Sequence, residues 1–117
     1  MRNVPEGTIN ALDLTTAKRA NFVKFLSEVR AESFPERRDL AIKIDMLGQL
    51  PIPIFLQQIE GRIMNRYYDS STGALNDDAM EALANSLGLD LLQLKPPIIS
   101  KIRRYLKLFC DIISALE

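Results

Sequence analysis

The sequence predicts an all-α fold, a compact bundle of five or six helices, and three observations carry that prediction. Apolar residues recur at spacings of three and four along each of the longer segments, which is the period of a helix face. Glycines and prolines fall between these segments, where they punctuate the chain. No stretch alternates at period two except Leu50–Ile54, and the prolines at 51 and 53 exclude it from a central strand.

Residues 1–13 are expected to form a flexible N-terminal segment, and 14–117 a single helical domain. The first helix should run from about Thr15 to Ala31. Leu14, Phe22, Leu26 and Val29 keep near-helical spacing, Phe25 widens the stripe, and Lys18, Arg19, Lys24, Glu28 and Arg30 take other faces. Ser33 and Glu36 then have the spacing of a capping box with Pro35 in the first turn, so the second helix is expected to start there. It carries Leu40, Ile44 and Leu47, with Gly48 placed as the left-handed residue that stops it.

Leu50-Pro51-Ile52-Pro53 must be extended, because each proline disfavours helix in the residue before it, while Pro53 can open the next helix. That third helix is expected from about Pro53 to Tyr68. Phe55, Ile59, Ile63 and Tyr67 make one stripe and Ile52, Leu56, Ile59 and Ile63 a second, so it should be central. Gly61 inside it costs about 1 kcal/mol relative to Ala and reads as a tolerated residue.

Asp69–Gly73 has the composition of a turn, and Asn76 can cap a fourth helix that buries Met80, Leu83, Ala84 and Leu87 and stops at Gly88. Asp77, Asp78 and Glu81 suit the positive end of its dipole. A short turn capped by Asp90 should precede Pro96-Pro97. The last helix, Pro97 to about Ala115, is the clearest amphipathic one, with Ile98, Ile102, Leu106, Phe109, Ile113 and Leu116 on one face.

The composition narrows the function classes. A 13.2 kDa chain with 47% apolar and 26% charged residues can bury a core without a disulfide or metal. Its single cysteine, Cys110, fits a reducing compartment, cytosol or nucleus, and no run is long and apolar enough to span a membrane. Fifteen basic and fifteen acidic residues cancel, so net charge selects neither nucleic acid nor membrane. With no histidine, the usual general base and the usual metal ligand are missing. Cys110 lies among Phe109, Ile112 and Ile113, the setting of a small buried thiol and not of an activated nucleophile. The chain is therefore expected to be no enzyme and to take no cofactor or metal.

Two apparent motifs lack the residues their chemistry requires. Gly73 and Leu75 stand where a calcium-binding EF-hand loop needs its glycine and apolar residue. In that register Tyr68 occupies the first ligand position and Ala79 the twelfth, and neither supplies a carboxylate. Met80–Leu94 matches the first half of a helix-turn-helix through Ala84, Gly88, Leu89 and Leu94. Its second helix would contain Pro96 and Pro97 and present Asp90, Leu91 and Leu92 to the bases, so the second half fails.

Two surfaces remain as candidate sites. One is apolar, Leu50, Ile52, Ile54, Phe55 and Tyr67, expected either to be covered by the first and last helices or to be open as a partner groove or dimer patch. The other is the basic face of the last helix, Lys101, Arg103, Arg104 and Lys107, which reads as a solvated face, a surface for an acidic protein, or a phosphate contact. The acidic stretch from Asp69 to Asp90 can lie beside it. Phe22, Phe25 and Leu26, followed by a second helix, an apolar connector to Phe55 and a late Pro-containing helix, make an order that resembles the TAFH domains of transcription cofactors. That likeness implies binding of short amphipathic peptides in a helical groove. The expected function is a protein–protein interaction module, binding a partner or itself, with nucleic-acid binding or transcription regulation through the basic face as the alternative.

Overall fold

A computed structural model describes residues 6–116, with side chains from residue 13 onward, and the described chain is built from five helices and one short hairpin. The helices are α1 (Glu6–Ser33), α2 (Arg38–Gln49), α3 (Ile52–Ile59), α4 (Asp78–Leu87) and α5 (Pro96–Leu116). α3 continues without a break through a π-helical turn (Glu60–Met64) and a last α turn (Asn65–Tyr67). α1 begins well before Thr15. Of the segment expected to be flexible, 6–13 are helical and 1–5 lie outside the described residues.

Five local expectations are corrected. The Ser33–Glu36 capping box does not form, because α1 runs on to Ser33 and Phe34, only 6% exposed, turns inward to the core. A tight turn follows, with Phe34 N donating to Arg30 O at 2.7 Å and Arg37 N to Phe34 O at 3.0 Å, so α2 starts only at Arg38. Gly48 is not left-handed; it is an ordinary residue of α2 at the crossing with α1. A Cβ there would stand 3.3 Å from Val23 Cγ1, so the glycine permits close approach of the two helices. What stops α2 is Pro51, which holds Leu50 extended at φ −64°, ψ 142°.

The fourth correction concerns strands. Tyr68–Asp69 (β1) and Ala74–Leu75 (β2) pair antiparallel, Tyr68 opposite Leu75 and Asp69 opposite Ala74. The turn between them closes itself: Asp69 Oδ1 accepts from Ser71 N at 2.9 Å and Ser71 Oγ at 2.6 Å, Gly73 N donates to Asp69 O at 2.7 Å, and Gly73 takes φ +70°. Two residues on each side are too few for any period-two pattern to be visible.

The connector is shorter than expected: only Leu50 and Pro51 are extended, and Ile52 and Pro53 already belong to the first turn of α3, where the missing N–H of Pro53 costs nothing. Asn76 Oδ1 accepts from Asp78 N at 2.9 Å at the start of α4, and Gly88 ends that helix at φ +82° with its N–H and that of Leu89 on Ala84 O. Asp90 caps the 3-10 turn Leu91–Gln93 through Leu92 N at 3.0 Å. Gly61 and Gly88 make a matched test. A Cβ at Gly61 meets nothing within 4 Å and its φ is not positive, so Gly61→Ala should raise the unfolding free energy by about 0.5–1 kcal/mol. Gly88→Ala forces a left-handed alanine beside Leu40 and should lower it by about 1 kcal/mol. Urea denaturation of the two variants reads both signs.

The core forms where α1, α3 and α5 meet. Phe22, Phe55 and Phe109 have no exposed surface. The Phe109 ring stands edge-on to Phe55 at 5.0 Å and to Phe22 at 5.5 Å, and Tyr105 closes the cluster 5.1 Å from Phe22. α2 seals one side with Leu40 and Ile44, and α4 another with Ala79, Met80, Leu83 and Leu87.

A cleft between the second, third and fourth helices

Beside this aromatic core α2, α3 and α4 do not close completely, and a cleft of about 310 Å³ remains between them. Phe22, Phe55, Ile59 and Ile63 form its floor. Met46 and Leu47 of α2, with Leu50 just beyond its end, supply one wall, and Leu83 and Leu87 of α4 the other. Polar groups stand only at the rim: Lys43, Gln58, Arg62 and Ser86. Its volume is at the lower end of the range in which proteins hold ligands. The surface continues outward. Met46 is 58% exposed, and Ile42, one turn earlier on α2, is 64% exposed.

Arg19 keeps the α2–α3 corner in place. From α1 its guanidinium donates to Leu50 O and, at 3.4 Å, to Leu47 O, carbonyls that the end of α2 leaves without helical partners. It also lies 5.6 Å from the centre of the Phe55 ring.

Of the apolar residues singled out in the sequence, the structure brings Leu50 and Phe55 to the cleft, Phe55 as buried floor and Leu50 as wall. Ile52 is half-buried against the core, Ile54 is 40% exposed away from the cleft, and Tyr67 lines a shallow polar depression next to the hairpin. The residues that sequence reasoning missed are Lys43, Met46 and Arg62 at the mouth and Leu83 and Leu87 opposite. Met46 carried a signal, since it lies outside the Leu40, Ile44, Leu47 stripe and so puts an apolar side chain on a second face of α2.

The basic face of α5 does not form one surface. Arg103 pairs with Asp77 at 2.9 Å and donates to Leu75 O at 2.6 Å, tying the hairpin to α5. Lys107 pairs with Asp111 at 2.8 Å. On the other edge, Lys101 lies over the Phe25 ring at 4.6 Å, and Arg104 joins Lys18 and Tyr105 around a shallow depression. The acidic stretch supplies the partner of the first pair, and the second forms within α5 because residues at i and i+4 are neighbours on the helix surface.

Asp111 also accepts from Tyr68 Oη at 2.6 Å. Burial pushes its carboxyl up, but the bonds from Lys107 and Tyr68 outweigh burial and hold it below the usual carboxylate range. The same bond, with burial, pushes the Tyr68 hydroxyl up to about 12. A carboxyl lowered in the folded state contributes stability above its unfolded value near about 4, and that stability is lost as pH falls through the folded value. Asp111→Asn should therefore destabilise the protein at neutral pH, and the difference from wild type should shrink in urea titrations below about pH 4. Burial first, then Asp111, pushes the Cys110 thiol up to about 12, so a thiolate is scarce at neutral pH. Among the described residues no group of three acidic or cysteine side chains is placed to hold a metal ion, and no helix is long and apolar enough to cross a membrane.

No protein-family model, curated protein or solved structure matches the chain.

Proposed function

We propose that this protein is a non-enzymatic helical interaction module that receives an apolar segment of a partner protein in the cleft between α2, α3 and α4. The single observation that carries the reading is the cleft itself, an apolar floor and two apolar walls with polar groups confined to the rim. Exposed Met46 and Ile42 extend that surface beyond the cavity, as a docking site that covers more than one side chain requires. Methionine suits such a mouth because its flexible thioether conforms to different occupants.

Met46→Gln is the decisive variant. It keeps the volume of an exposed side chain, so stability should not change, while a neutral amphipathic peptide should bind several-fold more weakly than to wild type. Methyl shifts of Leu50, Leu83 and Leu87 on titration should mark the cleft. Shifts confined to another face, or binding untouched by Met46→Gln, would remove the proposal.

A further inference from the structure

We infer that the segment docking in this cleft is acidic: a bulky apolar anchor enters between Met46, Leu50 and Leu87 while flanking carboxylates meet Lys43 and Arg62. The inference rests on reading the cleft as a docking site, and adds the chemistry of what docks.

Charge complementarity carries it. Lys43 and Arg62 are the charged residues of the lining, both are cationic and exposed, and neither is ion-paired among the described residues. Arg62 gives its Nε to Gln58 Oε1 at 3.0 Å, which leaves the two Nη groups to grip a carboxylate. Lys43 Nζ lies 3.8 Å from where a Cβ on Gly88 would stand, at the carboxyl-terminal end of α4. The partial negative charge there favours an ammonium, and its three donors can serve a ligand as well.

The backbone supplies a second observation. The wider π turn, Glu60–Met64, contains both Arg62 and Ile63, and Gln58 and Ile59 one turn earlier also line the cleft. Such turns interrupt the regular helix and often occur at functional sites. Here the turn places an apolar floor residue and a rim cation side by side. A cationic rim rewards an acidic segment and repels a basic one, and because the pairs are exposed the preference should weaken with salt. An acyl chain fits less well, since much of it would lie in water over Met46 and Ile42, whereas a protein segment brings its own cover.

The test titrates the full chain with three labelled peptides of roughly 15 residues that share one Leu/Phe stripe and carry Glu, Gln or Lys on its flanks. The Glu peptide should bind about tenfold tighter than the Gln peptide at low ionic strength, with the Lys peptide weakest. The double variant Lys43→Glu/Arg62→Glu should invert that order while remaining folded, with a small loss of thermal stability because Lys43→Glu sets a carboxylate at the carboxyl-terminal end of α4, and Met46→Gln should weaken all three. Equal affinity for the Glu and Gln peptides, both weakened by Met46→Gln, overturns the acidic preference and leaves the cleft reading standing. If none of the peptides binds, both fall. Displacement of the Gln peptide by dodecanoate but not by the Glu peptide, or a dimer in light scattering that Met46→Gln abolishes, overturns the acidic partner in favour of a lipid or a second copy.

Discussion

Phe109→Ala should lower the unfolding free energy by about 3–5 kcal/mol, a large share of the roughly 5–15 kcal/mol that holds a domain of this size. The ring is fully buried and is the only side chain in edge or stacked contact with Phe22, Phe55 and Tyr105 together among the described residues. Its removal forfeits transfer energy and leaves a cavity that three helices cannot close without moving. Phe109→Leu, which retains most of the volume, should cost about 1.5 kcal/mol. The comparison is made by urea denaturation. A loss for Phe109→Ala no larger than that for Phe109→Leu would mean that the helices collapse around the gap. Because Phe22 and Phe55 are also the floor of the cleft, the alanine variant should bind the neutral peptide more weakly even where it remains folded.

Arg19→Ala is expected to cost about 2 kcal/mol, through a different mechanism. It leaves two carbonyls at the end of α2 without a protein partner and removes a cation from the face of Phe55. Arg19→Met separates packing from the polar contacts, since it keeps a flexible aliphatic side chain and loses the donors and the cation over Phe55 together. If the methionine variant matches wild type in urea, packing and not carbonyl capping is what Arg19 contributes. If it matches Arg19→Ala, the hydrogen bonds and the cation over Phe55 together dominate, and amide exchange at Met46–Phe55 should quicken as the corner loosens.

The element boundaries show where one-dimensional signals suffice. Gly88 was legible because a positive φ is a local demand that glycine meets whatever surrounds it. Gly48 was not, because its role is the 3.3 Å approach to Val23, a contact across helices that no spacing along α2 encodes. The Ser33–Glu36 pattern was outweighed by burial of Phe34, which stabilises more than a cap does. On α5 the four basic residues were visible as charges, yet their division depended on Asp77 and Asp111 standing within ion-pair distance on one edge and Phe25 on the other.

The sequence by itself determined the predominantly helical architecture, the stripes that fill the core and the lack of histidine. These follow from residue type and period alone. Only the tertiary structure decided that Leu50 and Phe55 share a cleft with Leu83 and Leu87, that Ile52, Ile54 and Tyr67 stand apart from it, and that Lys43 and Arg62 flank its mouth. The physical reason is that a cleft is what three helices fail to fill. It depends on their crossing distances and on the π turn in the third, quantities that belong to the packed assembly and to no single segment.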